Sequence, residues 1–225
     1  MFYLIPTKRG LGVQLWGTYD DLTTIYTAVG NFWNQEDFLY NKGFENRDKV
    51  ISGFSYEIRK AYEGSRLTRK ESHFSHEPIT YFGCHITWVH FLFSLAALRY
   101  NMRTYDSVKF ELALFMLLES WLEKAMIAYD EKGAKELKHF IEGAIYPANE
   151  NLYQYMRYIN AEHFRLGGGK KAFRQLPALL KQSIYFTEEY KEYAEVLKSD
   201  AKRLKCEASE LEINDDDIDY ENIKW

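Results

Sequence analysis

Apolar and polar positions near the start of the chain predict a short hairpin followed by a helix. Residues 2–17 contain two apolar runs separated by a turn around Gly10, which is typical of two paired strands. Asp20 or Asp21 can cap a helix, since a carboxylate there accepts the free N–H groups of the first turn. From Leu22 onwards the apolar positions follow a period of 3.6 residues.

The middle of the chain has the strongest helical signal. An apolar stripe that starts after Asp48 ends at Gly64, and the polar residues 65–78 predict an irregular segment. Residues 85–101 and 107–128 are apolar around most of a helix circumference, which is typical of central helices. The residues of the second of these helices expected in the core are Leu112, Phe115, Met116, Leu118, Leu122 and Met126.

Helices are also predicted in the last third of the chain. They cover residues 134–144 and 149–163, and three glycines at 167–169 end the run. A long final helix is predicted from Pro177 to Leu211, with apolar side chains spaced by three and four residues as in a coiled coil. This seam must pack on the body of the chain or on a second copy.

These patterns predict a mainly helical α+β fold, in which an N-terminal β-hairpin packs on a bundle of about six helices. We expect one domain over residues 1–206, with the hairpin at 2–17 and the helical body at 20–206, followed by a tail at 207–225. A length of 225 residues with 46% hydrophobic residues suits one domain and excludes a disordered chain or a disulfide scaffold. Two cysteines suit a reducing compartment, so a cytoplasmic location is expected.

A membrane location is not expected. Residues 78–98 lack charged side chains over a length that could cross a bilayer, but they include proline, glycine and two histidines. A buried core helix is the better interpretation. The first ten residues lack the long apolar region of a signal peptide.

Charge is concentrated in the tail. Residues 207–225 carry eight acidic side chains and one lysine, a net charge of −7 in a chain whose total is −4. Such a composition is typical of a disordered segment. The acids alternate with isoleucine, tyrosine and tryptophan, however, which favours docking on a basic surface of this chain, of a second copy or of another protein. The residues expected to bind a partner are Tyr190, Tyr193, Leu197, Asp215, Asp216, Asp217, Tyr220 and Trp225.

The glycine run is followed by basic residues that could hold an anion. The sequence differs from a phosphate-binding P-loop, because Phe164 stands at the first glycine position and Lys171 replaces the hydroxyl residue. A backbone nest with Arg165, Lys170, Lys171 and Arg174 is a candidate anion site, and a solvated helix connection is the alternative.

Four residues are candidate metal ligands: His73, His76, Cys84 and His85. Their spacing does not match a known zinc pattern, so loop and core positions are the alternative. No nucleophile motif occurs, and we therefore assign no catalytic residue and expect no cofactor.

Three stretches resemble a family of bacterial proteins known as a domain of unknown function: GVQLWGTYDDLTTIYTAV, VISGFSYEIRKAYEGSR and YFGCHITWVHFLFSLAALRY. The similarity of pattern covers residues 11–195 and implies a bacterial, intracellular α+β protein with a helical body. It implies no catalytic residues. The chain departs from the family in its loop FWNQEDFLYNKGF and in its acidic tail.

Three classes of function follow. The first is a non-enzymatic interaction protein, an accessory, immunity or defence component that binds a partner or itself, with a homo-oligomer expected. The second is a small-molecule or phosphate binder, or an enzyme, with a site near Tyr56, Arg59, Tyr62, Arg66 and the histidine segment 73–90. The third is a nucleic-acid accessory factor that uses the basic stretch 165–181.

Overall fold

The N-terminal part of the chain forms a four-stranded antiparallel sheet in a computed structural model that describes residues 1–33, 43–72, 77–103 and 109–225. The strands are β1 Tyr3–Pro6, β2 Gly12–Gly17, β3 Leu67–Glu71 and β4 Ile79–Thr87. They pair in the order β1-β2-β4-β3. Gly12 allows β2 and β4 to approach closely, because a Cβ atom at that position would lie 2.1 Å from the carbonyl oxygen of Ile86.

Eight α-helices lie within the described ranges. They are α1 Tyr19–Gly30, α2 Phe44–Tyr62, α3 Trp88–Asn101, α4 Lys109–Tyr129, α5 Glu131–His139, α6 Leu152–Arg165, α7 Gly169–Leu180 and α8 Glu188–Leu204. Short helical turns cover Phe140–Ala144, Lys181–Ser183 and Ala208–Glu210. In this described part of the chain, no helix has both the length and the apolar character that a bilayer crossing requires.

The predicted mainly helical α+β class is confirmed, but the sheet is larger than the hairpin at 2–17. Strands β3 and β4 extend it, and β3 lies in the segment 65–78 that was expected to be irregular. The helix expected at 85–101 begins only at Trp88, because the residues before it continue β4.

The prediction of one long helix from Pro177 to Leu211 is wrong. This segment is divided into α7 and α8 by a 3-10 turn and by Phe186, whose φ of 71° is incompatible with a right-handed helix. Thr187 then starts α8, since its hydroxyl accepts a hydrogen bond of 3.1 Å from the backbone N–H of Tyr190.

Helix α3 lies at the centre of the molecule, with large side chains buried on every side, among them Phe91, Leu92 and Phe93. Helix α4 lies further out, against β1 and α5, and buries only one face. Leu112 and Met116, which were expected in the core, are therefore 43% and 61% exposed. Phe115, Leu118, Leu122 and Met126 are buried as expected.

One buried arginine joins several elements. Arg47 of α2 is inaccessible to solvent, and its Nε donates a hydrogen bond of 2.8 Å to Oδ1 of Asn101. Its Nη1 donates to the carbonyl of Pro147 at 3.2 Å, and its guanidinium lies 4.3 Å from the centre of the Tyr100 ring. Asn101 in turn donates to the carbonyl of Phe32 at 2.8 Å. Arg47 thus links α2 to α3 and to the segment before α6.

Candidate functional site

The acidic tail lies along helix α6 of the same chain. A 3-10 turn at Ala208–Glu210 brings it there, capped by the reciprocal contacts of Glu207 and Glu210. Nε2 of Gln154 on α6 donates a hydrogen bond of 2.6 Å to the carbonyl of Ser209. No residue of 207–225 is fully buried, so the tail docks on the surface and does not enter the core.

Two arginines of α6 hold two aspartates of the tail. Arg157 donates to Asp215 at 3.1 Å. Arg165 donates to both carboxylate oxygens of Asp217, at 2.9 and 2.7 Å, and to the carbonyl of Asn214 at 2.8 Å. These hydrogen bonds lower the pKa of Asp217 and raise that of Arg165. Asp216 is exposed and has no polar partner in the described structure.

Aromatic contacts continue the docking to the end of the tail. Tyr220 and Trp225 both pack edge-on against Phe164 of α6, with ring centroids 5.7 and 6.4 Å away. The indole of Trp225 also stacks on the imidazole of His85 in β4, at 4.5 Å and nearly parallel. The tail therefore connects α6 to the sheet.

His85 is fixed by a hydrogen-bonded chain across the sheet. Nε1 of Trp16 donates to Oε1 of Gln14 at 3.0 Å, so the Gln14 amide nitrogen faces Nε2 of His85, also at 3.0 Å. Nε2 must accept this bond, and the proton of the neutral ring is on Nδ1. Burial lowers the pKa of His85. Trp225 thus stacks on an uncharged imidazole.

A cleft of about 590 Å³ lies between α2, α6 and the tail, with His90 of α3 in its wall. Its lining residues are Lys49, Ser52, Gly53, His90, Tyr153, Met156, Arg157, Asn160, Asp215 and Tyr220. Asp215 and Tyr220 were predicted from the sequence, whereas the helical part of the lining was not. The available signal was polar residues at spacings of three and four in α2 and α6, which interrupt their apolar surfaces.

The predicted seam of α8 packs on the body of its own chain. Tyr193 and Leu197 are buried. Tyr193 stacks on Tyr158 of α6 at 4.5 Å, and Tyr190 stacks on Tyr155 at 5.2 Å. Tyr190 and Tyr193 therefore join α8 to α6, and Leu197 is buried beside them in the core.

The four candidate anion ligands do not form one site. Arg165 binds Asp217 of the tail, and Arg174 of α7 binds Asp130 through two hydrogen bonds of 2.8 and 2.7 Å. Lys170 and Lys171 are exposed in the first turn of α7. The basic stretch 165–181 is thus partly neutralised by carboxylates of the same chain.

The four candidate metal ligands are not assembled where the structure describes them. His73 and His76 lie outside the described residues. Cys84 is buried in the sheet, and burial raises the pKa of its thiol well above the ordinary range, while His85 contacts Trp225. Among residues 1–33, 43–72, 77–103 and 109–225, no group of three or more His, Cys, Asp or Glu side chains could hold a metal ion.

The alternative site near Arg59 is a surface cluster around Tyr56. The guanidinium of Arg59 lies 5.3 Å from the centre of the Tyr56 ring, and Arg66 pairs with Glu57 at 2.8 Å. Tyr62 packs edge-on against Tyr26. His85 contacts Gln14 and Trp225, and His90 bonds to the carbonyl of Val50. In the described part of the chain, neither ring contacts Arg59.

The fold and the docked tail define a mainly helical α+β protein with a four-stranded sheet. A family model described as Domain of unknown function (DUF6904) matches residues 2–225, and the chain belongs to this family. The resemblance to a domain of unknown function is thereby confirmed. The match also includes the loop FWNQEDFLYNKGF and the tail as far as Trp225, which were expected to depart from the family. No curated protein and no solved structure matches the chain.

Proposed function

We propose that this chain is a non-enzymatic interaction protein of the bacterial cytoplasm. It binds an acidic, aromatic segment of a partner on the surface formed by Arg157, Phe164, Arg165 and His85, which its own tail occupies when the partner is absent. The observation that carries the proposal is the docked tail, in which Asp215, Asp217, Tyr220 and Trp225 each have a matching charged or aromatic contact. Two unpaired cysteines support the reducing compartment.

The shallow position of the tail supports exchange with a partner. Both members of the Arg165–Asp217 pair are partly exposed, and exposed ion pairs contribute little to stability because solvent screens them. The tail keeps its place because it is covalently attached, which gives an effective concentration of about a millimolar. A partner with the same chemistry and more contacts can displace it.

A synthetic peptide of residues 213–225 is expected to bind the full chain at least about tenfold more tightly when the tail is weakened by Asp217→Asn and Trp225→Ala, because the attached tail no longer competes. Fluorescence anisotropy of the labelled peptide measures this. Adding Arg165→Gln is expected to remove most of the gain, whereas Lys198→Gln, in an exposed pair of α8, should leave it intact. Equal peptide affinity for the wild-type and weakened chains would contradict the proposal.

Self-association has a separate surface on α4. Leu112, Met116 and Ile127 are 43%, 61% and 55% exposed on one face of the helix. If α4 pairs antiparallel with a second copy about Ser120, this apolar face of one chain lies against the same face of the other. A neighbouring apolar cavity of about 270 Å³, lined in part by Met126, Ile127 and Ala134, then lies where it can accept Met116 of the second copy. The exposed apolar face and the adjoining cavity favour a homodimer.

The wild-type chain is expected to be a dimer at micromolar concentration, and Met116→Lys is expected to make it a monomer, because the lysine brings a charge into the apolar contact. Light scattering after size-exclusion chromatography measures the mass. Val196→Lys, at a 52% exposed position of α8, is the matched control and should stay dimeric. A monomeric wild type, or loss of the dimer in both variants, would exclude the α4 interface.

A further inference from the structure

The cleft beneath the tail is built by two helix faces. On α2, Lys49, Ser52 and Gly53 follow the spacing of three and four residues that places side chains on one face. On α6, Tyr153, Arg157 and Asn160 do the same. The site therefore rests on rigid elements and does not depend on loops.

Two positive charges line this cleft with little compensation. Lys49 has no carboxylate at ion-pair distance in the described chain, and its polar contact is the carbonyl of Ser209 at 3.5 Å. Arg157 has one polar partner in the same ranges, Asp215, which bonds to Nη2. The N–H groups on its Nε and Nη1 can therefore donate hydrogen bonds to a ligand. The cleft thus offers a net positive charge and several open donors.

Neutral polar groups complete the lining. Oδ1 of Asn160 is buried and has no hydrogen-bond partner in the described structure, although a buried amide normally has one. Rotation of this amide presents either its donor or its acceptor to a bound molecule. Ser52 adds a hydroxyl group. Gly53 leaves room for the imidazole of His90, since a Cβ there would lie 3.2 Å from Cε1 of that ring.

We propose that this cleft binds a small phosphate monoester between Lys49 and Arg157. A phosphate monoester carries nearly two negative charges at neutral pH, which match the two cations, and its oxygens accept the open donors of Arg157 and Ser52. The volume of about 590 Å³ exceeds that of a bare phosphate ion, and Tyr153 and Met156 of α6 provide a wall for an organic group. The site goes beyond the proposed interaction function and does not require a protein partner.

The tail is coupled to this site through Asp215. Its carboxylate already bonds to Arg157 and also accepts a hydrogen bond of 2.8 Å from the hydroxyl of Tyr220. A phosphate at Arg157 competes with that carboxylate. Ligand binding and tail docking therefore oppose each other, and each weakens the other by the same factor.

Phenyl phosphate is a suitable probe, with inorganic phosphate and phenol as its two halves. We expect phenyl phosphate to bind the full chain in the millimolar range or tighter, inorganic phosphate to bind more weakly, and phenol not to bind. Lys49→Gln and Arg157→Gln should each weaken binding about tenfold or more, because each removes a charge-assisted contact. Asp215→Asn should strengthen it, and Lys198→Gln on α8 should leave it unchanged. Chemical shifts of backbone amides in α2 and α6 locate the site.

The outcomes separate this site from the interaction surface. If phenyl phosphate does not bind at millimolar concentration, or binds equally well after both glutamine substitutions, the phosphate site is excluded. If it binds and its shifts lie at Lys170 and Lys171 in place of α2 and α6, the assignment to this cleft is overturned. Exchange of the tail peptide is measured without phosphate, so it can fail or succeed independently.

Discussion

Replacing Arg47 by alanine is expected to lower the free energy of unfolding by about 3–5 kcal/mol, a large part of the stability of an ordinary domain. The substitution leaves a cavity at a fully buried position and removes the donor for Oδ1 of Asn101 and the carbonyl of Pro147. A buried acceptor that loses its donor costs about 1–3 kcal/mol, because the water it would bind is absent. Urea denaturation followed by circular dichroism measures the change.

Two further variants separate the effect of the cavity from that of the lost hydrogen bonds and from that of losing any arginine. Arg47→Met refills most of the volume without the hydrogen bonds, so its loss of stability should be smaller than that of the alanine variant. Arg203→Ala removes an arginine of α8 that pairs with Asp200 while 67% exposed, and it should change stability by less than about 0.5 kcal/mol. If Arg47→Ala costs no more than Arg203→Ala, the proposed linking role of Arg47 is wrong.

The protein is expected to lose stability as the pH falls from about 6.5 towards 4, the range set by the ordinary histidine pKa and that of His163. His85, His90 and His163 all have a lowered pKa in the folded chain, chiefly because burial disfavours the charged ring. For His163 the pKa falls to about 4. Between these pH values the unfolded chain therefore binds more protons than the folded chain. The free energy of unfolding is highest above pH 6.5 and decreases as the pH falls below that value.

His163 contributes most to this effect, about 3 kcal/mol between neutral pH and pH 4. Its Nε2 is buried without a partner in the described structure, so a proton there has no acceptor. His163→Leu is expected to flatten the pH dependence by about this amount, as measured by urea denaturation at several pH values. The carboxylates with a lowered pKa, such as Asp130 and Asp217, are the same in both chains, so the difference between the two pH profiles reports His163. An unchanged pH profile in the variant would contradict the assignment.

The helical periods of the sequence predicted most elements, and the errors have physical reasons. Strand β4 lies inside the sheet between β2 and β3, so parts of it are buried without the alternation that identifies a half-exposed strand. Its apolar residues continue directly into α3, and a short apolar run fits either a strand or a helix. The predicted helix therefore began three residues too early, at His85.

The candidate site was only partly predictable. Composition identified the tail and its aromatic residues, but His85 under Trp225 results from a contact between distant parts of the chain. Lys49 and Asn160 look like ordinary polar residues of helices α2 and α6, and only the packing of these helices brings them to one cleft. Leu112 and Met116 were predicted to be buried but are exposed, because periodicity identifies an apolar helix face without showing whether that face is buried.

The order of the strands has a consequence for aggregation. Helix α4 packs against β1, whereas β3 forms the other edge of the sheet and pairs only with β4 in the described chain. That edge carries Arg69, Lys70 and Glu71, and charged side chains on an edge strand oppose the addition of further strands. At high concentration we therefore expect this protein to resist fibril formation through its sheet.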